Sequence, residues 1–122
     1  MLFTLANILI VLVALLHGSF IVLEMFLWNT PAGYKAFRIK PEFAEKTTAL
    51  AANQGLYNGF LLAGLIWGFI HSSAGFDIHV FFLSCIIVAG VFGAYTVNRL
   101  IFWLQAFPAI IALVLLFLAQ SA

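Results

Sequence analysis

Charge is what this sequence most lacks. Its 122 residues include five Lys and Arg and four Asp and Glu, against a hydrophobic share of 66% and a mean hydropathy of +1.19. A water-soluble fold of this length coats its surface with polar groups, and so few charges cannot do that. Lipid has to cover what water does not. Cysteine is nearly absent too: Cys85 stands alone in an apolar run, which excludes an intrachain disulfide and gives no start to a metal cluster, leaving it as a packing residue. The net charge of +1, with no basic patch among aromatics, excludes nucleic acid as a partner. No Lys or Arg precedes the apolar residues 2–16, so this stretch reads as a retained first membrane span and not as a signal peptide.

What is present is apolar length. A bilayer core of about 30 Å takes about 20 helical residues per crossing. Four segments reach that length, at about residues 2–28, 48–71, 78–97 and 100–120. They show no polar/apolar alternation, which excludes a membrane β-barrel. The expectation is an all-α, polytopic membrane protein, a bundle of four transmembrane helices forming one domain over residues 1–122.

The connections are unequal. Residues 29–47 form the only long one and hold Lys35, Arg38, Lys40 and Lys46. Pro31 and Pro41 bracket Tyr34 and Phe37, and this pattern predicts a short interfacial helix of one or two turns at the headgroups. Pro41 fits a first helical position, with Glu42 and Glu45 near the positive end of the helix dipole. In the second connection Gly75 is expected to end one helix and Asp77 to cap the next. The third is a tight turn around Asn98 and Arg99. With four spans, the first and third connections share a side and carry all five basic residues. The positive-inside rule then makes both loops cytoplasmic and puts both termini outside, with a bacterial cytoplasmic (plasma) membrane as the expected location.

Polar groups inside a membrane are costly, so their positions carry the most information. Glu24 falls one turn inside the cytoplasmic end of the first span, and His17 lies seven residues earlier on the same face, about 10 Å deeper. Asn53, Gln54, Tyr57 and Asn58 share one side of the second span by their spacing. Tyr95 and Thr96 close the third at that level, and Gln105 opens the fourth. These positions define a candidate ligand site of His17, Glu24, Asn53, Gln54, Tyr57, Asn58 and Gln105. Each has a plainer reading as well. Glu24 can snorkel to the interface, the amides can serve as interhelical glue, and the tyrosines can anchor helix ends. His71, Asp77 and His79 cluster near the opposite loop, but they supply one close pair and no fourth ligand, so no metal is expected. Pro108 removes the donor for the Leu104 carbonyl and predicts a kink beside Gln105.

The string Ala52-Asn53-Gln54-Gly55-Leu56-Tyr57-Asn58-Gly59-Phe60, with His17, Glu24 and Trp28 before it and Gln105 and Pro108 after it, resembles the small membrane proteins grouped as domain of unknown function 1304. The resemblance spans nearly the whole chain. It implies a four-span membrane protein and brings no substrate.

Three functions compete. The first is binding or transport of a small molecule, cation or proton at Glu24. The second is a membrane enzyme acting on a lipophilic substrate, with His17 and Glu24 as acid and base and Asn53 and Asn58 positioning the substrate. No nucleophile, metal triad or nucleotide motif supports it, and no cofactor is expected. The third is a structural or accessory subunit. Stripes of small residues (Gly55, Gly59 and Ala63; Gly64 and Gly68; Gly90 and Ala94) allow close helix approach and lead to the expectation of a homo-oligomer within the lipid bilayer.

Overall fold

The computed structural model describes all residues, 1–122, and is built of helices without a strand. In chain order these are α1 (Leu2–Met25), α2 (Pro31–Phe37), α3 (Pro41–Lys46), α4 (Thr48–Ile70), α5 (Gly75–Thr96), a π-helical turn (Phe102–Ala106) and α6 (Phe107–Ser121). Three stretches are long and apolar enough to cross a membrane: α1, α5, and the π turn continued by α6. The sequence led us to expect a fourth in α4. That helix has the length, at 23 residues, but Asn53, Gln54, Tyr57 and Asn58 dilute its apolar character, and it does not join the other three.

The chain divides into two compact units, Met1–Leu16 with Ala63–Ala122, and His17–Leu62. In the first, the buried side chains follow helical spacing. Ala6, Ile10 and Val13 are enclosed on α1, Leu83 and Ile86 on α5, and Ala106, Ala109, Ala112, Leu116 and Ala119 on the last helix. Steps of three and four residues place each set on one stripe. Small residues set the helix approach, since a Cβ built on Gly90 would lie 2.6 Å from the Ala106 nitrogen. The hydroxyls of Ser84 and Thr96 donate to the carbonyls one turn back, Val80 at 2.6 Å and Phe92 at 2.7 Å, which satisfies them without a partner helix.

The turn before α5 differs from the expectation. Gly75 opens α5 instead of ending α4, and Asp77 sits in the first turn instead of capping it. The reason is packing: a Cβ on Gly75 would come within 2.5 Å of the Gly68 carbonyl oxygen. The Nδ1 of His71 accepts the Ala74 N–H at 3.0 Å and closes the turn. After α5, the Asn98 side chain accepts the Leu100 N–H at 2.8 Å. The π turn follows, with the Phe107 N–H donating to the Phe102 carbonyl. Pro108 has no N–H to give the Leu104 carbonyl, so the ladder loses a rung at this point and takes up one extra residue.

The second unit holds the long connection, which contains two short helices. Pro31 and Pro41 both stand at helix starts. Thr30 caps α2 and also donates to the Leu27 carbonyl at 2.6 Å. Arg38 ends α2 in the left-handed region (φ 54°, ψ 49°), a position that glycine usually takes. The Trp28 indole stacks obliquely on Phe37, with ring centroids 4.9 Å apart, and donates to the Thr47 hydroxyl at 3.0 Å. This contact ties the turn that follows α1 to the residue before α4.

Candidate functional site

Within the second unit, the end of α1 and the start of α4 run antiparallel. A Cβ on Gly55 would meet the Met25 side chain and lie 3.2 Å from the Glu24 Cβ; one on Gly59 would lie 3.8 Å from Ile21, and one on Gly18 would lie 3.9 Å from Leu62. Each four-residue advance along α4 matches a similar retreat along α1. Glycine at 55 lets the backbones approach at the level of Glu24.

That approach encloses a polar pair. The Asn58 amide donates from Nδ2 to Glu24 Oε1 at 2.5 Å, with Glu24 8% and Asn58 4% exposed. Glu24 is the only acidic side chain that is buried, and no buried side-chain nitrogen or oxygen lacks a hydrogen-bond partner. His17 is fully enclosed seven residues earlier, with its ring edge-on to Phe20 at 5.5 Å between centroids.

Of the residues singled out from the sequence, the structure joins Glu24 with Asn58 directly and buries His17 further along the same helix. It separates the rest of the α4 group from them. Asn53, Gln54 and Tyr57 are exposed, whereas Ala51, Gly55 and Asn58 turn inward. The four polar residues cover an arc of about 140° at about 100° per residue, too wide for one packed stripe, and Asn58 stands at its inner edge. Gln105 lies in the other unit, half-buried in the π turn. Sequence reasoning named Gly55 as a close-packing glycine and Trp28 beside the family-like string, but placed neither of them, nor Met25, in the frame of the site.

Chemically, a buried carboxylate held by one amide can take up a proton or hold a cation. Acid–base catalysis shared by His17 and Glu24 is a poorer match. Seven helical residues set them about 10 Å apart along the axis, beyond direct proton exchange. No group of three His, Cys, Asp or Glu is placed to hold a metal ion. Outside this unit, His71 is occupied by the α4–α5 turn and His79 by the Leu65 carbonyl.

Comparison with known proteins decides the family. The model of the family described as "Protein of unknown function (DUF1304)" matches residues 11–117. The chain belongs to this family. A relative from Lactococcus lactis subsp. lactis (strain IL1403), described as "Uncharacterized protein YpaA", is 35% identical over 109 residues, covering 88% of this chain and 92% of its own length. No solved structure matches. The match to the DUF1304 family takes in every residue of the Glu24–Asn58 pair and its frame.

Proposed function

We propose that this protein is a four-span integral membrane protein of the cytoplasmic membrane that binds a small cationic or protonatable ligand at Glu24, and that it moves or senses that ligand. The observation that carries the reading is the buried hydrogen bond between Glu24 and Asn58. A carboxylate inside a membrane helix is costly unless it is paired, and such groups mark ion and proton pathways. Here the partner is a neutral amide, which leaves the carboxylate able to exchange a proton for a ligand.

In this reading α4 is the second of four spans, and its polar character is what a site-bearing helix requires. Both termini lie outside, and the connection with Lys35, Arg38, Lys40 and Lys46 is cytoplasmic. The helix α2 then lies at the headgroups, with Lys35 and Arg38 exposed. Asn53, Gln54 and Tyr57 are exposed on a spanning helix, and amides there are covered better by another protein surface than by lipid. This supports a homo-oligomer in which α4 meets a second copy.

The test is a thermal-shift screen of small cations and amines across pH on the wild type and Glu24→Gln, beside infrared titration of the carboxylate band. The variant should fold, lose one titrating carboxylate and lose the pH-dependent ligand response. A response identical in both proteins would leave the pair as a structural pin that sets helix register.

A further inference from the structure

A second feature lies well apart in sequence from Glu24, where α5 gives way to the π turn. Val91, Ala94, Tyr95, Arg99, Phe102 and Trp103 line an open groove of about 520 Å³. Two of the walls are aromatic rings with open faces: Tyr95 is 90% exposed, and Trp103, which touches Phe102 and Phe107, is still 58% exposed. Arg99 is the one charged residue between Asp77 and the C-terminus, and its side chain is exposed. Asp77 is at the opposite end of α5, about 30 Å away by helical rise, so no acidic side chain of this unit neutralises Arg99.

The composition of the groove selects its occupant. A guanidinium presents a planar fork of donors that matches phosphate oxygens. Tyrosine and tryptophan are the residues that settle at the level of lipid headgroups. Val91, Ala94 and Phe102 continue the groove with apolar surface along α5 and the π turn, which suits an acyl chain and not water. A groove this large is in the range that holds a molecule of drug size, far more than a bare phosphate ion fills. We infer that this groove is a binding site for an anionic phospholipid, with the headgroup phosphate on Arg99 and the first part of an acyl chain along Trp103 and Val91.

The measurement is native mass spectrometry of the full-length protein, released from mixed phosphatidylglycerol and phosphatidylcholine micelles, with retained lipids counted. Wild type should hold a phosphatidylglycerol about five- to tenfold more often than Arg99→Gln, the loss expected for one basic contact near a membrane surface. Phosphatidylcholine retention should be equal in the two. Arg99→Lys keeps the charge but not the fork and should fall between them. Trp103→Ala should weaken both lipids alike, because it removes only apolar and ring contact. Lys35→Gln, which removes a charge that α2 presents at the headgroups outside this groove, should lower retention by less than Arg99→Gln does. Equal phosphatidylglycerol retention in wild type, Arg99→Gln and Arg99→Lys would overturn the site, as would an equal loss in Lys35→Gln. If Arg99→Gln fails to fold, a lack of difference between wild type and Arg99→Lys overturns it instead. Inorganic phosphate that binds through Arg99 and displaces the lipid completely would show an anion site and not a lipid site.

Discussion

The His79 imidazole bonds through Nε2 to the main-chain oxygen of Leu65 at 2.9 Å, in a place left open by the missing side chain of Gly68. The bond joins α4 to α5 through a backbone group, so it fixes helix position without needing a polar partner side chain. A carbonyl only accepts, so Nε2 carries the hydrogen and donates. Phe69 sets its ring edge against the same imidazole at 4.6 Å between centroids.

Filling that place should be costly. A Cβ on Gly68 would fall on the imidazole ring, so Gly68→Ala forces His79 off its bond. Alanine favours a helix over glycine by about 1 kcal/mol, but overpacking plus a displaced buried histidine costs about 1–3 kcal/mol and wins. Thermal unfolding in mild detergent should show a lower Tm for Gly68→Ala, and the double variant Gly68→Ala/His79→Ala should show less than the sum of the two losses. Additive losses would mean that the two residues do not share the space.

Glycines of the second unit should behave in opposite ways. A Cβ on Gly33 would overlap the carbonyls of Leu27 and Trp28, which are backbone groups with nowhere to move. Gly33→Ala should therefore destabilise by about 1–3 kcal/mol. At Gly59 the nearest atom is the Ile21 Cδ1 at 3.8 Å, an ordinary contact, so Gly59→Ala should be neutral or gain up to about 1 kcal/mol. Parallel melts of the two variants check the contrast. A tolerant Gly33 would show that α2 is not seated against the end of α1.

The Glu24–Asn58 pair should reveal itself by coupling. Asn58→Leu leaves a buried carboxyl group without its donor, and a buried polar group left unsatisfied costs about 1–3 kcal/mol, more when it is charged. Glu24→Leu leaves only an amide to satisfy and should cost less. The double variant Glu24→Leu/Asn58→Leu removes both polar groups and should be more stable than Asn58→Leu alone. Denaturant titrations in detergent provide the cycle, and a coupling near zero would show that the bond contributes nothing to the folded state.

Topology is open to direct labelling. In a Cys85→Ser background, single cysteines at either terminus should react with an impermeant maleimide on intact cells, and one replacing Arg38 should react only after the membrane is opened. In the proposed four-span reading all five basic residues, Lys35, Arg38, Lys40, Lys46 and Arg99, fall in connections of one side, which motivates this outcome. Labelling at position 38 from outside would reverse the proposed orientation.

The sequence made some of this plain and hid the rest for physical reasons. The helix starts at Pro31 and Pro41 were legible because proline fixes φ and has no N–H to lose at a first helical position. That Glu24 and Asn58 meet was legible from matched depth. Which of four α4 polar residues turns inward was not, because the answer depends on where Gly55 lets α1 approach, a tertiary fact. Asp77 was misread as a cap because local propensity favours Asp there, whereas the closeness of Gly75 to the Gly68 carbonyl decides where α5 begins. The π turn was foreshadowed only as a kink at Pro108, since a missing donor says that the ladder breaks without saying how it is repaired.

That repair puts the chain out of phase with itself. An α-helix keeps its faces because each residue advances by about 100°, and one surplus residue between Phe102 and Ala106 resets the count. The helical side chains just ahead of the turn, Leu100 and Ile101, therefore point by a different clock from the alanine stripe of Ala109, Ala112 and Ala119 behind it. Deleting a single residue inside the turn would bring the two clocks back together and swing Leu100 and Ile101 by about a quarter of a revolution relative to α6, taking Ile101 off its seat on Gly93.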